Sequence, residues 1–228
     1  MNKNILIIGG GSDIGKALAI KFLKKDHKVV INIKNKKSRK EYLELLKKNR
    51  INQKKYRIVV GDIKNHNFIN NLLNFSKKEN FYPRLMINNA AVTDNIKKKL
   101  SLTNFSDVFK VNMFGILNCC LEYLKSKKEK RKIIINISSD VSIRGSFNNP
   151  AYAASKAAID NIVLSLNKIF KNSSVFSIIL GPVKTKKTKN KLNQKNFILP
   201  NQVADKIYVL FKRNKFFLNK KLINFNKI

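Results

Sequence analysis

The chain has 228 residues, of which 48 are Lys or Arg and 13 are Asp or Glu, a formal net charge of +35 at pH 7. That length, with 43% hydrophobic residues, supports one domain with a sizeable core and leaves little room for two. The two cysteines are adjacent, Cys119 and Cys120, which excludes a disulfide framework and points to a reducing compartment, the cytoplasm.

The charge excess reads as compositional bias. Trp is absent, Gly is scarce, and the lysines are spread over loops and helix faces instead of forming one patch. A specific nucleic-acid site is therefore not expected, although loose binding at low salt is. No run of about 18 apolar residues occurs, so no membrane partner is expected. The first apolar run, Ile5–Ile8, is too short for a signal peptide.

In chain order, short apolar runs alternate with stretches whose apolar residues recur every three or four positions. Strands are predicted at Asn4–Ile8, Lys28–Ile33, Tyr56–Val60, Arg84–Asn88, Lys132–Ser138, Val175–Leu180 and Lys221–Phe225. Helices are predicted around Ile14–Phe22, Tyr42–Leu46, Phe68–Phe75, Phe105–Leu124, Tyr152–Phe170 and Val203–Phe211. Strands apolar on both faces suit a parallel sheet covered by helices. Repeated strand–helix–strand units imply right-handed crossovers. The expected fold is α/β, a single domain over residues 1–228 with a doubly wound, mostly seven-stranded parallel sheet. Lys184–Asn196 is polar and basic and is expected to be a mobile loop.

Gly9-Gly10-Gly11-Ser12-Asp13-Ile14-Gly15 follows the first strand and opens the first helix. Glycines let the backbone turn sharply and approach a pyrophosphate, and a helix N-terminus adds free N–H groups and partial positive charge. The alternative is a tight turn that uses glycine for its φ. Gly9, Gly11, Ser12, Asp13, Ile14 and Gly15 are the candidate dinucleotide contacts, with Ser12 as a hydrogen-bond donor. Asp13 is expected to cap a helix starting at Ile14, with its carboxylate near the phosphates.

Tyr152 and Lys156 are four apart on a predicted helix and share a face. A free phenol has a pKa of about 10, and a nearby ammonium is expected to lower it. Tyr152 can then pass a proton to a substrate oxygen as a hydride arrives, while Ser139 hydrogen-bonds the same oxygen. Such Tyr–Lys spacings are common in a lysine-rich chain, so the weight rests on their conjunction with the glycine turn and with Asn88–Ala91.

These segments together resemble the short-chain dehydrogenase/reductase family. The turn is similar to its T-G-x-x-x-G-x-G motif, with Ile8 in place of Thr and Asp13 in place of the middle Gly. Asp62, followed by Ile63, resembles the family Asp that contacts adenine. Asn88-Asn89-Ala90-Ala91 resembles the N-N-A-G segment, so Asn89, Ala90 and Ala91 are expected to line the cofactor. Asn112 matches the helix Asn, Ser139 the catalytic Ser, and Tyr152 with Lys156 the Y-x-x-x-K signature. Gly181-Pro182-Val183-Lys184-Thr185 resembles the P-G-x-V-x-T segment, with Leu180 replacing its Pro, which adds Pro182, Val183 and Thr185 as cofactor contacts. The resemblance implies a Rossmann-type fold. It also implies that Lys156 grips the nicotinamide ribose and that Asn112 holds a water relaying protons to Lys156. No metal is expected.

Selectivity for NAD usually needs a carboxylate at the end of the second strand. That place reads Ile31-Asn32-Ile33-Lys34, with no Asp or Glu from there to Glu41. Lys34, Lys36, Lys37 and Arg39 suit a 2′-phosphate, so NADP(H) is expected in preference to NAD(H). The first expectation for substrate is a 3-oxoacyl group on acyl carrier protein, in fatty-acid synthesis. That acidic carrier would dock on Lys127, Lys128, Lys130 and Arg131, read as lying at the active-site end of a helix. The chain ends Asn219–Ile228 without the glycines usual in such reductases, and the loop after Thr185 is short. Reduction of a sugar, a polyol or a cell-surface sugar precursor therefore stays open. A non-catalytic cofactor-binding or nucleic-acid-binding protein is the reading from another class. By resemblance a homotetramer or homodimer is expected, and Ala153, Ala154, Ala157, Ala158 and Ile162 would allow close helix approach.

Overall fold

Strands buried on both faces of a parallel sheet need unbroken apolar runs, and the chain supplies them. In the computed structural model, which describes residues 4–94, 100–126, 131–188, 194–213 and 221–227, seven strands form one sheet. They are β1 (Asn4–Ile8), β2 (Lys28–Ile33), β3 (Tyr56–Val60), β4 (Leu85–Asn88), β5 (Ile133–Ser139), β6 (Ser174–Leu180) and β7 (Leu222–Asn224). Their order is β3-β2-β1-β4-β5-β6-β7 and every pairing is parallel. The expected doubly wound sheet is what the chain forms. Its order reverses between β1 and β4, where a crevice opens at the carboxyl ends of the strands.

Alternate residues of each inner strand face opposite layers. Ile5 and Ile7 of β1 pack with Leu18, Phe22, Tyr42, Leu46 and Ile207. These come from α1 (Asp13–Lys24), α2 (Lys37–Lys48) and α8 (Pro200–Lys212). Leu6 and Ile8 pack the other way, with Ile69, Leu72, Tyr123, Ile159 and Val163. Those belong to α3 (His66–Lys78), α5 (Ile116–Lys125) and α7 (Pro150–Ile169), the last preceded by a single-turn α6 (Val141–Arg144). Each such side chain is worth about 1.5–3 kcal/mol relative to exposure. Burial on both faces fails at the edges. Every residue of β3 is half-exposed, and Leu222 and Asn224 of β7 are exposed, because an edge strand has one neighbour and thinner helix cover.

Two further expectations are corrected. The helix predicted over Phe105–Leu124 is interrupted: α4 (Leu102–Phe109) passes into a π-helical turn, Lys110–Gly115, before α5. The wider turn carries Asn112, which is fully buried. The segment Lys184–Asn196 is not free of structure where it is described. Its start is tied to the chain beyond it, with Lys184 N–H donating to the Ile198 carbonyl and Ile198 N–H to the Pro182 carbonyl, both at 2.9 Å. Lys186–Thr188 forms a 3-10 turn, and residues 189–193 lie outside the described residues. Among the described residues no helix is long and apolar enough to cross a membrane.

Candidate functional site

The glycine-rich turn sits at the carboxyl end of β1. Gly9 has φ 76°, and a Cβ there would stand 2.5 Å from the Ala90 backbone. A Cβ on Gly15 would stand 2.5 Å from the Gly9 carbonyl oxygen. Glycine is required at both for reasons of space, and at Gly9 for conformation as well. The helix begins one residue earlier than expected, and its cap is Ser12, not Asp13: the Gly15 N–H donates to Ser12 Oγ at 3.1 Å. Ser12 Oγ also receives Asn89 Nδ2 at 2.8 Å, and the same amide reaches the Gly9 carbonyl at 2.8 Å. Ser12 and Asn89, both expected to face a cofactor, are thus engaged with each other and hold the turn in shape.

The Asp13 carboxylate has a partner within the chain. Its Oδ2 accepts the Lys186 N–H at 2.7 Å, linking the turn to the segment after β6. Glu41 supports the same bridge, with Lys16 Nζ at 2.6 Å and Lys186 Nζ at 3.4 Å. The Lys16 hydrogen bond and charge hold the Glu41 carboxyl below its ordinary value.

On the β1 side of the crevice, beyond β2, Asp62 follows β3 with Lys34 Nζ and Lys64 Nζ each 3.7 Å from its Oδ2. Ile63 is buried beneath Gly115. Asn32, which the sequence reading passed over, is buried at the end of β2; its Nδ2 donates to the Gly61 carbonyl at 3.0 Å. Gly11 and Lys34 are exposed on the rim, while Ala90 and Ala91 are half-buried at the end of β4. Of the post-β6 residues, Val183 is buried, Pro182 is exposed, and the Thr185 N–H is taken by Thr188 Oγ1 at 2.8 Å.

Ser139, Tyr152, Lys156 and Asn112 come together where β5 meets α7. Ser139 is the last residue of β5, and Tyr152 lies in the first turn of α7. Asn112 Oδ1 accepts the Val92 N–H and its Nδ2 donates to the Val92 carbonyl, each at 2.8 Å. Its Nδ2 also reaches Ser155 Oγ at 3.1 Å. Lys156 is buried, with Nζ donating to the Ile137 carbonyl at 2.7 Å and lying 5.6 Å from the Tyr152 ring centroid.

The expected lowering of the Tyr152 pKa is reversed. Burial pushes the phenol up to about 12; the Ser139 hydrogen bond works against this, and the charges of Asp140 and Asp160 add to the rise. The lysine expected to stabilise the phenolate is turned to a strand carbonyl, and desolvation of the phenolate outweighs the rest.

Two more placements differ from expectation. α5 runs back from the carboxyl ends of the strands, so Arg131, just before β5, lies at the opposite end of that strand from Ser139. Of the residues expected to dock an acidic carrier, Arg131 is thus not at the active-site end, and Lys127, Lys128 and Lys130 lie outside the described residues. Asp94 was missed: its carboxylate accepts the N–H groups of Ala151 and Tyr152. The one available signal was scarcity, since each of only 13 acidic residues in so basic a chain is a candidate for a specific partner. Around this edge, Ile143 and Phe147 after β5, and Leu100 and Leu102 after β4, are large apolar side chains open to solvent, 88% exposed for Phe147 and 90% for Leu102.

The family model for short chain dehydrogenases matches residues 3–196, a span that takes in every candidate residue. The chain is 32% identical over 197 residues to the 3-oxoacyl-acyl-carrier-protein reductase FabG of Rickettsia prowazekii (strain Madrid E), covering 85% of this chain and 77% of that protein. It is 29% identical over 195 residues to the FabG of Chlamydia trachomatis serovar D, covering 83% and 77%. In fold it is similar to a tyrosine-to-phenylalanine variant of ElxO with NADPH bound, with a TM-score of 0.86 at 21% identity over 99% of this chain and 97% of that one. The chain belongs to the short chain dehydrogenase family and is an oxidoreductase.

Proposed function

We propose that the protein is an NADP(H)-dependent carbonyl reductase in which Tyr152 is the acid, and that it reduces 3-oxoacyl thioesters carried on acyl carrier protein. The observation that carries the chemistry is the convergence of Tyr152, Ser139 and Lys156 at one edge, with the phenol protonated up to about pH 12. A group that stays protonated at neutral pH is suited to giving its proton to a reduced substrate oxygen.

The residues present fit a dinucleotide. The backbone at Gly9 and Gly15 has no room for side chains, and the N-terminus of α1 faces the crevice above them. Asp62 and Ile63 would meet the adenine, Lys34 the 2′-phosphate, and Ala90, Ala91, Pro182, Val183 and Thr185 the nicotinamide half. NADP(H) is favoured because the end of β2 offers Lys34 and no carboxylate. Bound cofactor supplies or accepts the hydride at the substrate carbon. Ser139 holds the carbonyl oxygen, Tyr152 gives that oxygen its proton, and Lys156 lies beside the ring as a fixed positive charge. Asn112 fixes the segment at Val92 against α7.

The substrate class rests on the two FabG relatives and on the exposed apolar side chains Ile143, Phe147, Leu100 and Leu102, which suit an acyl chain better than a sugar. We place the enzyme in the cytoplasm as a homotetramer or homodimer. Exposed Leu164 and Ala154 on α7 and Phe114 on the π turn provide apolar surface for subunit contact, whereas Ala153 and Ile162 pack within the chain.

The test is consumption of NADPH with an acetoacetyl thioester, beside NADH and beside Tyr152→Phe. Turnover with NADPH that falls by about 10²–10⁴-fold in the variant supports the reading. A wild type that binds NADPH and leaves the thioester untouched removes the substrate assignment. Equal rates in wild type and variant remove the acid.

A further inference from the structure

The first turn of α7 carries Tyr152, and the helix does not cap itself. Its N-cap residue, Asn149, makes no side-chain cap bond, and Pro150 follows at the first helical position. The N–H groups of a first turn have no partner within the helix and must be met from elsewhere. Here they are met from 57 and 58 residues away. Asp94 Oδ2 accepts from Ala151 N–H at 3.0 Å, and Oδ1 accepts from Tyr152 N–H at 2.8 Å. Oδ2 also receives Asn104 Nδ2 at 3.1 Å from α4, where Asn104 is buried. An anion at a helix N-terminus is doubly favoured, by the macrodipole and by charge-assisted bonds.

The carbonyl side of the same residue is also tied. The Tyr152 carbonyl accepts Ser155 Oγ at 2.8 Å, and Ser155 Oγ receives Asn112 Nδ2. Asn112 in turn clamps Val92, two residues before Asp94. Tyr152 and the short segment Val92–Asp94 therefore form a closed circuit, joined by Asp94 on one side and by Asn112 and Ser155 on the other.

We infer that Asp94 is a positioning residue for the reduction, an inference that rests on Tyr152 being the acid. Its carboxylate touches no reacting atom. It fixes the backbone of Tyr152 to the segment that ends β4, so the phenol and the residues expected beside the nicotinamide move as one piece. Loosening that link displaces the phenol from the carbonyl oxygen, and a misplacement of about 1 Å can cost about 10²-fold in rate.

The experiment compares Asp94→Asn and Asp94→Ala with wild type and with Tyr152→Phe. The readouts are kcat and KM for acetoacetyl-CoA, NADPH Kd by fluorescence, Tm, and amide exchange of the first turn of α7. In Asp94→Asn, an NH₂ group faces donors that the carboxylate had accepted. We expect kcat to fall by about 10–100-fold, with NADPH Kd and thioester KM within about 3-fold of wild type and Tm still well above the assay temperature. Faster exchange confined to the α7 first turn accompanies this result. An unchanged kcat overturns the inference, as does a loss in which kcat and NADPH affinity decline together with Tm, the signature of a cap needed only for folding. If Asp94→Ala does not fold, Asp94→Asn decides alone by the same measures. A wild type inactive on the thioester is assayed with an activated diketone, which separates a wrong substrate from a wrong role for Asp94. Full activity of Tyr152→Phe on that diketone would sink the acid assignment itself.

Discussion

Lys156 and Ile137 are joined by a 2.7 Å hydrogen bond that runs from the helix ammonium to a carbonyl in β5. The bond spends one of the three ammonium donors on the sheet and fixes the charge beside the Tyr152 ring. Lys156→Met removes both effects. The expected result is a fall in kcat of about 10²-fold with the protein still folded, measured by steady-state kinetics and circular dichroism.

The pH profile follows from the raised phenol. Reduction needs Tyr152 protonated, and its pKa stands at about 12. The reductive kcat contributed by this group should stay level from pH 7 to about 9 and decline only as pH approaches its pKa. Oxidation of the alcohol needs the phenolate, so its rate should climb across the same interval. A reductive rate that already halves near pH 8 would show that another group titrates.

The glycines of the turn should separate by substitution. Gly9→Ala meets both a left-handed φ and the Ala90 backbone, and Gly15→Ala meets the Gly9 carbonyl. Each is expected to lose more than about 2 kcal/mol of stability and to weaken NADPH binding at least about tenfold. A Cβ on Gly11 meets only Ile33 Cγ2 at 3.8 Å. Gly11→Ala should therefore fold within about 0.5 kcal/mol of wild type. Thermal melts and fluorescence titration of NADPH distinguish the three.

Much of this was legible before any coordinates, and the exceptions share a cause. β1, β2 and β3 match their predicted bounds because an apolar run closed by Gly or Lys is a local signal. Tyr152 and Lys156 came from local spacing, and Ser139 and Asn112 from short segments that resemble the family's. What the sequence hid is pairing at a distance. Asp94 caps a helix 57 residues away, and Asp13 meets an amide 173 residues away. The π turn at Lys110–Gly115 adds a single residue to a helical repeat, too small a slip to see in a period of 3.6. The rise in the Tyr152 pKa depends on burial, which residue spacing does not reveal.

Alkaline instability is also expected. Burial raises the pKa of Cys120 to about 12 from 9.0, and raises those of Cys119 and Tyr42 as well. For each, the unfolded chain ionises first. The stability contributed is whole below the unfolded pKa and is lost as pH climbs towards the folded one. Above about pH 9 each such thiol, and above about pH 10 each such phenol, should subtract about 1.4 kcal/mol per pH unit. Tm should drop steeply between pH 9 and 11, and Cys120→Ala should flatten part of that drop. A Tm level to pH 11 would contradict the burial of these groups.

The link from Asp13 to Lys186 can be measured by hydrogen exchange. Asp13→Ala deprives the Lys186 amide of its acceptor, and that amide should exchange about tenfold faster, with the sheet core unchanged. Equal exchange in wild type and variant would mean that the bond does not persist in solution.

That same link has a thermodynamic corollary. One end of it lies in the turn proposed to hold the phosphates, and the other in the segment that follows β6. Coupling between two sites is reciprocal by linkage. If filling the phosphate turn changes how firmly Asp13 holds Lys186, then anything that moves the post-β6 segment must change nucleotide affinity by the same factor. A backbone amide carries the direct bond and the Lys186 ammonium, through Glu41 to Lys16, a second and more exposed one, so replacing Asp13 should weaken this correlation more than changing the Lys186 side chain.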